Sequence, residues 1–120
     1  MSPEAQRIAI AEACGWVRKD ESYPYPASSD GICKRIVWYT PDGVAQPLGD
    51  AAIPDYLNDL NAMHEAVDSV LVEAGRNGDW RGWDSYVLTL SEMVGSEGAI
   101  EATAAQRAEP FLKVIGKWKD

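Results

Sequence analysis

Histidine and phenylalanine occur once each in this chain of 120 residues, cysteine occurs twice, and the 11 basic residues are outnumbered by 19 acidic ones. Each scarcity closes a class of function. A single histidine, His64, gives neither HExxH nor any other multi-histidine metal pattern. Cys14 and Cys33 have no CxxC spacing and no histidine close in sequence, so they read as small buried hydrophobes in a reducing compartment. The formal charge of −8 argues against direct binding to nucleic acid or to an anionic membrane, because neutralising phosphates needs clustered lysine and arginine. No apolar run approaches the roughly 20 residues that span a bilayer, and no basic segment followed by an apolar stretch opens the chain, so the expectation is a protein that stays where it is made. The glycine-rich stretch "AGRNGDWRGW" (74–83) lacks the GxxxxGK[ST] of a phosphate loop.

What is present suits one folded domain over 1–120: 46% hydrophobic and 25% charged residues, the balance of an ordinary globular fold with a real core. Residues 3–14 read as a helix stopped by Gly15. The polar stretch 19–31, with two prolines, reads as a long loop. Ile32 to Thr40 is rich in β-branched and aromatic residues and runs into Pro41-Asp42-Gly43. That predicts a hairpin whose second strand is short and placed at an edge by Pro47. A helix starts at Pro54 or Asp55 and buries Tyr56, Leu57, Leu60, Met63, Val67, Val70 and Leu71, with its C-cap at Gly75 and a turn at Asn77-Gly78. Residues 85–90 read as a third strand covered on both faces. A capping box at Thr103 and Gln106 opens a last helix reaching Trp118, which Pro110 should kink or delay. The fold class is therefore α+β, in the order α-β-β-α-β-α, with helices packed on a small antiparallel sheet.

Candidate chemistry concentrates in two places. In "IPDYLNDLNAMHEAV" (53–67) and just beyond it, Asn61, His64 and Asp68 fall along one helix edge. There they form either a polar triplet bordering a ligand cleft, with Asp68 orienting the imidazole, or a solvated helix-surface pair. The second place is the aromatic load: five Trp and five Tyr, several beside cations. Trp38, Trp80, Trp83 and Tyr86 offer stacking faces, and Arg35 and Arg81 offer donors to phosphate; the same aromatics also suit a core or an interface. If Arg81 meets a phosphate in a buried contact, replacing it with alanine should weaken binding by about 1.5–3 kcal/mol. No acid–base pair or activated nucleophile stands out, so no catalytic residue, cofactor or metal is assigned, and enzymatic activity is not the favoured reading.

Three blocks, "IAEACGW", "IPDYLNDLNAMHEAV" and "ATAAQRAEPFLKVIGKW", resemble small tailed-phage and prophage proteins with a phage ABA sandwich domain. The resemblance implies helices on both faces of a small antiparallel sheet, a place in the host cytoplasm, and departs from the family at Pro110, where alanine is expected. For a phage protein of this size it implies three functional classes. The first is a counter-defence protein that sequesters a host immune nucleotide, a cyclic nucleotide or ADP-ribose derivative, without turnover. The second is an acidic inhibitor that binds a host defence protein, using the charge of −8 to imitate nucleic acid. The third is an enzyme that cleaves the signal, with His64 or a carboxylate pair as acid and base. A homo-oligomer is also expected, since small domains often complete a pocket across a symmetric interface.

Overall fold

The computed structural model describes residues 1–27, 29–46, 49–95, 98 and 101–119. They group into two compact units, Met1–Cys14 with Pro54–Asp120, and Gly15–Ile53. The class is α+β with a small antiparallel sheet, as the sequence indicates, although two elements fall elsewhere in the chain.

In the helical unit, α1 (Pro3–Ala13) starts where the Ser2 hydroxyl accepts the Ala5 amide proton at 3.1 Å, with Pro3 in the first turn. Arg7 reaches across to donate from Nε to the carbonyl of Pro54 at 3.0 Å. The central helical rod is α2 (Leu60–Val67), a π-helical turn (Asp68–Val72) and α3 (Glu73–Arg76). It begins later than Pro54 or Asp55 predict. Asp55 instead closes a turn, its carbonyl accepting from Asn58 and Asp59, and Asp59 is the cap, accepting from the amides of Asn61 and Ala62. Leu60 is consequently exposed, while Tyr56, Met63, Val67 and Leu71 are buried as expected. Gly75 is also not the cap: α3 runs through it, and Asn77 and Gly78, at φ +99°, end the rod.

Residues 85–90 are not a strand. They lie inside α4 (Arg81–Val94), which buries Tyr86 and Leu90, one turn apart, and leaves Val87 and Leu88 exposed. The aromatic and β-branched run "YVLTL" favours extended backbone locally, but packing one helical stripe against neighbours outweighs a propensity of that size. The last helix, α5 (Ala104–Val114), has its capping box in place, with Thr103 and Gln106 each accepting from the other's amide. Pro110 sits buried within α5 and does not delay its start. The helix stops short of Trp118: Gly116, at φ +77°, turns the chain so that Lys117 and Gly116 donate to the carbonyls of Leu112 and Lys113. Ala104, Ala108, Phe111 and Leu112 of α5 are buried, and the helix lies against α1, α2 and α4.

The second unit is a sheet in the order β1-β2-β3, all antiparallel. The segment read as a loop at 19–31 supplies most of β1 (Val17–Pro24), which pairs along its whole length with β2 (Ile32–Tyr39), from Val17 opposite Tyr39 to Pro24 opposite Ile32. β3 (Ala45–Gln46) is the short second arm of the expected hairpin; Pro47 lies outside the described residues. A strand of charged residues carries no alternating apolar signal, and β1 is exposed at every position but Glu21. Its stability comes from the ladder to β2 and from side-chain pairs across it. Trp38 is fully buried, with its indole N–H donated to Asp50 Oδ1 at 2.8 Å. Asp50 belongs to a 3₁₀ turn (Gly49–Ala52) and also meets Arg18 at 3.6 Å.

Candidate functional site

The π-helical turn is the feature that builds a cavity in the helical unit. Its amide–carbonyl bonds span five residues, as from Glu73 to Asp68, which widens the rod locally and lets Val67 and Val72 border the same space. His64, Val67, Asp68 and Val72 from this rod, Trp83 and Tyr86 from α4, and Arg107 from α5 enclose a cavity of about 180 Å³. The Trp83 and Tyr86 rings form one wall, tilted at 42° with centroids 5.8 Å apart. Arg107 supplies the positive charge: its Nε is held by the carbonyl of Ala102 at 3.0 Å, and its guanidinium also hydrogen-bonds the Tyr86 phenol. Burial raises the Tyr86 pKa above its ordinary value, and the arginine partly offsets this. The phenol therefore stays protonated around neutrality. His64 and Asp68 stand at the exposed rim. Asp68 does not orient the imidazole through an ion pair; its partner is Arg76, at 3.7 Å, which also meets Glu73.

Of the nine residues singled out from the sequence, His64, Asp68, Trp83 and Tyr86 come together here. Asn61 is exposed and its amide serves the Asp59 cap. Trp80 packs over Gly75, where a β-carbon would come within 2.3 Å of the indole, and leaves 45% of itself exposed. Arg81 is committed to Asp79, with Nε to Oδ1 at 3.0 Å and Nη2 to Oδ2 at 3.2 Å; this bidentate hydrogen bonding holds the Asp79 carboxyl below its ordinary range. Arg81 borders a separate open groove with Ser85, Thr89 and Lys113. Trp38 is fully buried and presents no face to a ligand. Arg35 is also in the sheet unit, over the Tyr23 ring at 5.3 Å and 3.8 Å from Glu21. Glu21 in turn accepts from the Tyr39 hydroxyl, and that bond pushes the Tyr39 pKa up.

Arg107 was not legible as a site residue. It is one turn past the Thr103 cap, and only the packing of α5 against α4 and the central rod brings it to the aromatic wall. Cys14 and Cys33 are free thiols, each half-buried. Cys14 lies 3.7 Å from the Ser69 hydroxyl, and burial raises its pKa, which disfavours the thiolate that a nucleophile needs. Among the described residues no group of three or more His, Cys, Asp or Glu converges to hold a metal, and no helix is long and apolar enough to cross a membrane. No protein-family model, curated protein or solved structure matches the chain.

The arrangement offers a stacking wall, a fixed guanidinium and an imidazole at the mouth. It does not offer a nucleophile paired with a base. Its volume is below the roughly 300 Å³ at which pockets begin to enclose a drug-sized molecule, so it admits one ring or one anionic group of a larger ligand.

Proposed function

We propose that this protein binds a nucleotide-like ligand without turning it over, the ring held against Trp83 and Tyr86 and an anionic group drawn to Arg107. The observation that carries this reading is the convergence of two aromatics, an arginine and a histidine from three separate helical elements on one cavity. With the resemblance to phage ABA sandwich proteins, it supports a role as a phage-encoded counter-defence protein that sequesters a host immune nucleotide in the host cytoplasm. The cavity volume favours recognition of one base or sugar-phosphate element, with the rest of the ligand at the His64 and Asp68 rim.

Isothermal titration against cyclic nucleotides and ADP-ribose derivatives tests this. Saturable heat, with unchanged ligand recovered after denaturation, is the expected result. Recovery of cleaved products would replace the reading by an enzyme. Absence of heat with every nucleotide, together with co-purification of a basic host protein, would replace it by the acidic protein-binding inhibitor.

A further inference from the structure

The edge of the sheet carries a pattern that the nucleotide cavity does not explain. β1 has a strand on one side only among the described residues, and seven of its eight residues are exposed. Backbone parity fixes which groups its open edge presents. Tyr25 donates to the carbonyl of Gly31, in register with Pro24 opposite Ile32. Hydrogen-bonded and non-hydrogen-bonded pairs alternate along an antiparallel ladder. Val17, Lys19, Glu21 and Tyr23 therefore direct their amides and carbonyls toward β2, and Arg18, Asp20 and Ser22 direct theirs outward. Pro24, without an N–H, ends the usable edge.

An antiparallel partner must set outward-directed residues opposite outward-directed residues. For a second β1 related by a two-fold axis this leaves few registers, and centring the axis on Asp20 matches side chains best. Arg18 and Ser22 then exchange backbone bonds with the copy's Ser22 and Arg18, and Asp20 with its own counterpart. On the other face of the ribbon Lys19 stands opposite the copy's Glu21, and Val17 opposite the copy's Tyr23. Those are non-hydrogen-bonded pairs, in which side chains lie closest. Val17 and Tyr23 are both exposed large hydrophobics, at 49% and 40%. The two facing Asp20 carboxylates repel, and each lies diagonal to an Arg18 of the opposite strand, which also meets Asp50 at 3.6 Å and offsets the repulsion in part. Centring on Lys19 instead sets Arg18 opposite the copy's Asp20, but it also sets lysine against lysine and valine against glutamate and loses both the lysine–glutamate and the valine–tyrosine pairs. Centring on Glu21 sets glutamate against glutamate and lysine against tyrosine.

We infer that β1 is a self-recognition edge: two copies of this chain pair antiparallel through Val17–Tyr23, joining their three-stranded sheets. A charged edge strand ordinarily discourages pairing. Here the order of charges together with the Val17 and Tyr23 side chains favours its own copy, centred on Asp20.

Sedimentation velocity on the full chain over a range of concentrations tests the inference. The expected result is reversible conversion of a 13.1 kDa species to one of twice that mass. K19E and E21K should each shift the equilibrium to monomer at least tenfold, and an equimolar mixture of the two should restore the dimer, since glutamates of one chain then face lysines of the other. Glu21 also serves Tyr39 and Arg35, and Lys19 lies over the Tyr39 ring at 5.0 Å, so restoration of the dimer by the K19E and E21K mixture, which lost contacts within one chain cannot produce, is the decisive result. In a C14S/C33S background, Asp20→Cys should form an intermolecular disulfide under mild oxidation, and Lys19→Cys should not. A chain monomeric at every concentration overturns the proposal, as does a dimer indifferent to K19E or one cross-linked through position 19 and not 20.

Discussion

Trp83 and Arg81 are separated by one residue and were equally attractive as ligand contacts, yet the structure gives them different tasks. Trp83 is half-buried on the cavity wall, whereas the Arg81 side chain is 92% exposed and doubly bonded to Asp79. Trp83→Ala is expected to weaken a ring-bearing ligand by about 1–3 kcal/mol, the usual contribution of one aromatic stacking face, while Arg81→Ala leaves affinity unchanged. Titration of both variants with the same nucleotide checks this, and equal losses would move the site to the Arg81 groove. Gly75 is governed by sterics alone. A β-carbon there would fall 2.3–2.5 Å from three atoms of the Trp80 indole, so Gly75→Ala should destabilise the fold by about 1–3 kcal/mol through overpacking, read as a lower urea midpoint. Pairing it with Trp80→Ala should recover much of that loss. Tyr86 gives a pH signature. Its pKa is raised in the folded state by burial, so the stabilisation is fully present below the unfolded value of about 10 and is lost as pH rises through the folded value. Tyr86→Phe should flatten the alkaline fall in unfolding free energy, and an unaltered slope would mean that the phenol ionises freely in the fold.

At the level of elements, α4 is where composition and packing disagree. In the strand reading Leu88 and Leu90 share a face and would respond alike to mutation; in the helix they lie on opposite sides, 61% and 3% exposed. Leu88→Glu should therefore change stability by no more than about 0.5 kcal/mol, while Leu90→Ala should cost about 2–5 kcal/mol. Chemical denaturation of the two variants separates the readings, and comparable losses would favour the strand. The helix had legible punctuation: Asp79, whose Oδ1 accepts from the Arg81 amide, and Gly95 at φ +82° bracket a stretch too long for an ordinary strand. The same kind of signal made α1, the Pro41 to Gly43 hairpin turn and the Thr103 capping box readable, because each is written in residues adjacent in sequence. β1 was unreadable for the opposite reason. With almost no buried residue it has no hydrophobic period, and its existence depends on register with β2. The candidate site divides in the same way. The helix edge carrying His64 and Asp68 follows from periodicity along one element, whereas Arg107 and the widening at Asp68–Val72 depend on how α5 and α4 settle against the rod.

Over the whole molecule the charge of −8 sets how an anionic ligand arrives, and the cavity sets how long it stays. The net negative charge repels a nucleotide at long range, an effect screened over about 10 Å at 0.1 M salt. Arg107 acts at contact distance and is partly enclosed between Ala102 and Tyr86, where screening is weaker. The two effects therefore separate kinetically. Raising ionic strength from low to physiological should increase the association rate constant of a phosphate-bearing ligand severalfold, the reverse of a basic nucleotide-binding protein, and should change the dissociation rate constant less. Stopped-flow tryptophan fluorescence can follow this, because Trp83 lines the cavity. An association rate that falls with salt would show that a local positive surface guides the ligand in spite of the net charge. The open surface around Lys34 and Arg35 would then be the first place to look for a contact.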